Sequence, residues 1–156
     1  MANTVTFLSQ ADAQHLLADT NVISIRGPHD PAPIFIAAHN VLALEFDDVE
    51  GYVGSDGFSV FDHRQAKQVV AFIQGLNGAD LVVHCQAGMS RSAAVAKFAA
   101  DHMGYQLDLS KPCIGTTAYY NRHVYGTLNL TRADSLSSYY AEMELADRLR
   151  GGPIHG

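Results

Sequence analysis

The feature that most constrains the fold is a short, wholly apolar run, Leu81-Val82-Val83, which a short loop connects to an alanine-rich stretch from Ser92 to Met103. The apolar run predicts a buried strand, and the alanine-rich stretch predicts a helix that ends at Gly104. Strands that alternate with helices pair in parallel and are covered by those helices. The same alternation is therefore expected along the rest of the chain.

The alternation extends along most of the sequence. Strands are predicted over Thr4 to Leu8, Val22 to Ile25 and Asn40 to Phe46, of which the last is apolar enough to be buried on both faces. Helices are predicted over Gln10 to Leu17, Phe61 to Leu76, Thr116 to Leu128 and Ser137 to Leu149. We expect an α/β fold, with a central, mostly parallel sheet of about four to five strands flanked by helices on both faces.

Composition limits the organisation and the partners. The chain has 156 residues, 47% of them hydrophobic and 17% charged, which predicts a single folded domain over residues 1–156. A formal net charge of -6 argues against nucleic acid or an anionic membrane as the main partner, because both favour a basic surface. With no secretory signal pattern and no apolar run long enough for a bilayer, we expect a cytoplasmic protein with two free thiols, Cys85 and Cys113.

The loop between the apolar strand and the alanine-rich helix carries the chemistry. It reads His84-Cys85-Gln86-Ala87-Gly88-Met89-Ser90-Arg91-Ser92. Gly88 permits a tight turn, so that the backbone N–H groups of the loop and of the helix start can face one point and bind a phosphate. The substrate-binding residues predicted on this basis are Gln86, Ala87, Gly88, Met89, Ser90 and Arg91.

Three side chains of this loop have predicted catalytic roles. The positive field of the cradle and of the helix dipole favours the thiolate of Cys85, which is the nucleophilic form. Arg91 offers a planar, permanently charged fork to two phosphoryl oxygens, and Ser92 can donate a hydrogen bond to the sulfur. The alternative is a buried free cysteine, with Ser92 as a helix cap and Arg91 as a surface charge.

The same residues resemble the Cys-x5-Arg motif of the protein tyrosine phosphatase superfamily, and the small dual-specificity-like phosphatases are the closest group. The resemblance spans about Val22 to Met103, and the mid-chain position of the loop differs from that of the low-molecular-weight lineage. It implies that Cys85 attacks phosphorus to form a phosphocysteine intermediate, that Arg91 holds the phosphate and that His84 supports the loop. It implies neither a metal nor a cofactor. Tyr120-Asn121-Arg122 loosely resembles a helix start that packs behind the site in this family.

The family also uses an upstream aspartate as general acid. The acidic loop Phe46-Asp47-Asp48-Val49-Glu50 follows a predicted buried strand, at the sheet edge where ligands gather in α/β folds. Asp48 aligns best with the family aspartate and Asp47 is the near alternative, whereas Glu50 and Asp56 are lesser candidates. By itself such a run is more often a solvated acidic loop.

The loop composition also bears on the substrate. Its interior has no lysine and no second arginine, which disfavours phosphoinositides and favours a phosphorylated protein or peptide. From the resemblance we expect activity on phosphotyrosine, and also on phosphoserine or phosphothreonine, without a secure ranking between them. Two other readings remain open. One is a non-catalytic pseudophosphatase that binds phosphate or other oxyanions, and the other is an arsenate reductase or sulfurtransferase-like enzyme with Cys113 as a second thiol.

Overall fold

The computed structural model describes residues 3–37, 39–50, 57–110 and 113–150, except for the side chains of residues 135, 138 and 139. The strands are β1 (Thr4–Ser9), β2 (Asn21–Arg26), β3 (Asn40–Glu45), β4 (Leu81–Cys85) and β5 (Gln106–Leu107). The helices are α1 (Gln10–Ala13), α2 (His63–Gly75), α3 (Arg91–His102) and α4 (Arg122–Leu149).

The five strands form one parallel sheet in the order β3-β2-β4-β1-β5. This confirms the predicted α/β class and the mostly parallel sheet. Because all strands run the same way, their carboxyl ends meet at one edge, where ligands bind in open α/β sheets. Cys85 is the last residue of β4, the central strand, so it lies in the middle of that edge.

The two faces of the sheet are covered unequally. On one face Val5, Phe7, Ile23 and Val83 are fully buried and belong to the same apolar core as side chains of α2, α3 and α4. The other face has a small cluster of Leu8, Ala13 and Val82, with Leu16 and Phe35 packed against it. Helices on both faces were predicted correctly, but the second face has only α1 and the loop after β2.

The prediction that α1 extends to Leu17 is wrong, because the helix ends at Ala13. Ser9 caps it as predicted, since its side chain accepts a hydrogen bond from the backbone N–H of Asp12. Beyond Ala13 the N–H groups of His15 and Leu16 bond three residues back, which tightens the chain into turns. Leu17 is 82% exposed, so no apolar contact there favours another helical turn.

The prediction that β3 is buried on both faces is also wrong. β3 is an edge strand beside β2. Along it, the exposed residues Val41, Ala43 and Glu45 alternate with the half-buried Leu42 and the buried Leu44. Leu44 is buried, whereas Val41 is 39% exposed. The apolar composition of this segment was read correctly as a strand, but its place in the strand order depends on packing far along the chain.

The two helices predicted over Thr116 to Leu128 and Ser137 to Leu149 are one helix, α4, which begins after Asn121. The Asn121 side chain accepts a hydrogen bond from the Val124 N–H and sets this start. Residues 129–136 contain neither glycine nor proline, so nothing there interrupts the helix. Within the described residues, none of the helices combines the length and the apolar character that crossing a membrane requires.

Candidate active site

The predicted nucleophile lies where β4 ends and the loop of residues 86–90 leads into α3. Cys85 is 2% exposed, and its sulfur has two polar neighbours. The Ser92 Oγ lies 3.1 Å from Sγ, and the Gly88 backbone N–H donates to Sγ at 3.3 Å. The sulfur therefore lies within hydrogen-bonding distance of a side chain of α3 and of the backbone of the loop.

Gly88 has a geometric requirement that a larger residue does not meet. Its φ is +70°, and a Cβ added there would lie 2.4 Å from the Ser9 nitrogen and 2.6 Å from the Leu8 carbonyl carbon. A hydrogen bond also holds the loop at the same place, because the Gln10 N–H donates to the Gln86 carbonyl at 3.3 Å. The outer face of the loop therefore packs directly on the junction between β1 and α1.

Arg91 is buried and is not the surface charge of the alternative reading, since only 9% of its side chain is exposed. Its Nη1 donates to the Phe46 carbonyl at 2.9 Å, and its Nη2 lies 4.0 Å from Asp30 Oδ2. Its Nε is buried without a hydrogen-bond partner among the described residues. A buried donor without a partner is costly, so this edge of the guanidinium is suited to an anion.

Asp48 is hydrogen-bonded to the loop. Its Oδ1 accepts one bond from the Ser90 hydroxyl and one from the Asn121 side-chain amide, each at 2.8 Å. Asn121 is fully buried, donates to the Val49 carbonyl at 3.0 Å, and through its backbone N–H also reaches the Ser90 carbonyl at 3.0 Å. The start of α4 therefore joins the acidic segment to the loop.

The other acidic candidates have different neighbours. Asp47 Oδ2 accepts from the Ser59 backbone N–H at 2.7 Å, and Glu50 Oε2 accepts from the Arg122 backbone N–H at 2.6 Å. Asp56 lies outside the described residues. Among the candidates within them, Asp48 is the carboxylate that hydrogen-bonds to the loop.

His84 is fully buried, and its Nε2 lies 2.6 Å from the Ser24 hydroxyl on the neighbouring strand β2. Burial lowers its pKa to about 4, and a contact with the Cys85 backbone opposes this only in part. The imidazole is therefore neutral near pH 7. A neutral, hydrogen-bonded ring at the strand end is suited to holding β4 in place beside β2.

Cys113 lies in a cleft beside the loop. The cleft has a volume of about 350 Å³ and is lined by Ser9, Asp12, Ala87, Gly88, Cys113 and Ile114. Cys85 and Cys113 are both free thiols. On the rim, Gln86, Ala87 and Met89 are exposed, so these predicted substrate-binding side chains face outward. In the described part of the chain, no group of three or more His, Cys, Asp or Glu side chains could hold a metal ion.

Sequence reasoning did not find two of the groups around Arg91. Asp30 lies in the turn after β2, where the sequence pattern indicates only that a strand ends. The Phe46 carbonyl has no side-chain signal at all. No protein-family model and no curated protein matches this sequence.

Proposed function

We propose that this protein hydrolyses phosphate monoesters through a thiophosphate intermediate on Cys85. Its substrates are phosphorylated proteins or peptides, mainly at phosphotyrosine and also at phosphoserine or phosphothreonine. The observation that carries the proposal is the combination of a buried sulfur, which faces the Ser92 hydroxyl and the Gly88 N–H, with a buried arginine whose Nε has no hydrogen-bond partner among the described residues. Phosphoryl transfer needs a nucleophile and a hydrogen-bond donor for the phosphate oxygens, and here they lie at the two ends of the same loop.

The first half of the reaction forms the intermediate. The phosphate oxygens accept hydrogen bonds from the backbone N–H groups of residues 86–90 and from Arg91, and the Cys85 thiolate attacks phosphorus. The bond from phosphorus to the ester oxygen breaks, and the leaving oxygen takes a proton from Asp48. Because Asp48 Oδ1 is held by Ser90 and Asn121, Oδ2 is the oxygen that would carry this proton.

The second half returns the enzyme to its starting state. Water attacks the phosphorus of the thiophosphate, gives its proton to Asp48 and displaces the sulfur as a thiolate. The Ser92 hydroxyl, 3.1 Å from Sγ, stabilises the departing sulfur by donating a hydrogen bond to it. Inorganic phosphate leaves, and no step requires a metal or a cofactor.

The surroundings of the loop favour a protein substrate. The loop interior has no basic side chain to meet a second phosphate, and the net charge of -6 disfavours an anionic lipid surface. Exposed Gln86 and Met89 leave the rim open to a peptide. Free thiols at Cys85 and Cys113 suit a reducing compartment, so we place the activity in the cytoplasm.

The test is hydrolysis of p-nitrophenyl phosphate and of phosphotyrosine and phosphoserine peptides, with EDTA present. Cys85→Ser is expected to abolish turnover, and Arg91→Lys to reduce kcat/KM by about a hundredfold or more, because lysine does not offer the planar fork. Cys113→Ser is the matched cysteine control and is expected to retain activity. Full turnover by Cys85→Ser would contradict the proposal.

A second candidate is a thiol enzyme such as an arsenate reductase or sulfurtransferase. The observation that favours it is the cleft that places Cys113 beside Ala87 and Gly88 of the loop. Arsenate reduction that consumes thiol and is lost in Cys113→Ser would support this reading. Phosphate binding without turnover of any ester would instead identify a non-catalytic phosphate-binding module.

A further inference from the structure

The buried charge of Arg91 needs a counter-charge, and one carboxylate among the described residues lies within ion-pair distance of it. Asp30 Oδ2 is 4.0 Å from Arg91 Nη2. We propose that Asp30 is a positioning residue, which orients the guanidinium of Arg91 and so sets the affinity of the loop for a tetrahedral oxyanion. The inference rests on the proposed function in so far as the loop binds phosphate.

The Asp30 carboxylate is itself held firmly. Its Oδ2 accepts a hydrogen bond from the Gly27 N–H at 2.8 Å, and the Asp30 N–H donates to the Gly27 carbonyl at 3.0 Å. The Asp30 carbonyl accepts from Arg26 Nη1 at 2.8 Å. The carboxylate packs closely on Gly27, because an added Cβ there would lie 2.9 Å from Asp30 Oδ2. The turn after β2 therefore presents a preorganised carboxylate to Arg91.

Asp30 acts together with the carbonyl of Phe46. Arg91 Nη1 donates to that carbonyl at 2.9 Å, while Nη2 lies near Asp30. With these two atoms near protein acceptors, Nε is the buried donor of Arg91 that has no hydrogen-bond partner within the described part of the chain. Bidentate binding of phosphate by arginine uses two adjacent N–H groups on one edge. The Phe46 carbonyl and the Asp30 carboxylate thus orient the guanidinium so that its edge with Nε faces the anion.

The negative charge of Asp30 also repels a phosphate, and this opposes the effect of orientation. About a third of the Asp30 side chain is exposed, so solvent weakens its repulsion. The hydrogen bonds from Arg91 to phosphate are direct and mostly shielded from solvent, since the arginine side chain is 9% exposed. Orientation is therefore expected to outweigh repulsion.

The test compares the affinity for inorganic phosphate, measured by calorimetry, in the full chain. Asp30→Asn keeps an oxygen for the Gly27 N–H but removes the charge, and should weaken phosphate binding about tenfold, or about 1.4 kcal/mol. The kcat/KM for p-nitrophenyl phosphate should fall by a similar factor, with the pH profile unchanged in shape. Asp30→Glu restores the charge and should recover part of the affinity.

Asp147→Asn is the matched control, because it removes the same charge from an exposed ion pair with Arg150 at the end of α4. It should leave phosphate affinity within about twofold, since it changes only a screened surface charge. Thermal melting shows that each variant is folded. If Asp30→Asn does not fold, Asp30→Glu must bind phosphate more weakly than the wild type.

Phosphate affinity that is unchanged or tighter in Asp30→Asn overturns the inference. Loss of the basic limb of the pH profile at unchanged phosphate affinity also overturns it, because Asp30 would then be a proton donor. If the wild type binds phosphate but hydrolyses no ester, the proposed function fails while the affinity comparison still tests Asp30. If the wild type does not bind phosphate, both fail.

Discussion

The Ser90 hydroxyl donates a 2.8 Å hydrogen bond to Oδ1 of Asp48. Ser90 is the residue before α3, yet its side chain forms no hydrogen bond to the helix that follows. The first N–H groups of α3 thus keep their capacity to bind an anion, while the Ser90 side chain ties the loop to the acidic segment after β3. This contact connects the two parts of the proposed chemistry, the oxyanion cradle and the proton donor.

Asp48→Asn should reduce kcat for phosphotyrosine peptides by about a hundredfold or more, the usual range for loss of a general acid. The amide still accepts a hydrogen bond at Oδ1 but carries no transferable proton. The basic limb of the pH–rate profile should disappear, and esters with better leaving groups should be less affected. Asp47→Asn is the control, since Asp47 bonds to Ser59. A larger loss in Asp47→Asn than in Asp48→Asn would assign the acid to Asp47.

Ser92→Ala should slow breakdown of the intermediate more than its formation, because the hydroxyl 3.1 Å from Sγ stabilises the departing thiolate. Steady-state kcat should fall about tenfold, which corresponds to loss of one hydrogen bond to a charged group. Rapid mixing with p-nitrophenyl phosphate should then show a burst of nitrophenol. Exposed Ser110, which bonds to Asp108, supplies the control variant Ser110→Ala. An unchanged kcat without a burst would argue against this role.

Gly88→Ala should both destabilise the protein and reduce activity. The added Cβ would lie 2.4 Å from the Ser9 backbone nitrogen, so the loop must move as well as adopt an unfavourable φ. Gly104→Ala is a matched control, because Gly104 also has a positive φ, +79°, but an added Cβ there meets nothing within 4 Å. The control should lose about 1 kcal/mol of unfolding free energy, from strain alone. Denaturant unfolding should show a larger loss for Gly88→Ala, and equal losses would contradict the close packing.

Stability should fall in mild acid because of His84. Its folded-state pKa of about 4 lies below the usual 6.5, so the unfolded chain binds the extra proton first as the pH falls. The contribution of His84 to the free energy of unfolding is fully present above about pH 6.5 and is lost progressively toward pH 4. About 2 kcal/mol is lost between about pH 7.5 and pH 5.

The measurement is denaturant unfolding of the wild type and of His84→Asn at both pH values. The variant cannot titrate at this position, so its unfolding free energy should change less over the same range. Carboxylates contribute equally in both proteins and cancel in the comparison. The same pH dependence in wild type and variant would show that His84 is not responsible.

The fold was predicted correctly wherever local pattern is sufficient. The apolar run at Leu81 indicates a strand, and the alanine-rich stretch after Ser92, followed by Gly104, indicates a helix. The errors fall where distant packing decides. β3 has the composition of a central strand but pairs only with β2, and α1 ends early because Leu17 contacts no apolar neighbour that would favour another turn.

The sequence by itself determined which residues form the loop from Cys85 to Arg91, because the signals for a strand end, a tight glycine turn and a helix start follow one another in one short segment. Only the tertiary structure decided which groups surround Arg91 and the acid. The strand order brings the Phe46 carbonyl and Asp30 to Arg91, and the start of α4 brings Asn121 to Asp48. These contacts join segments 45 to 73 residues apart, and local pattern carries no information about such pairs.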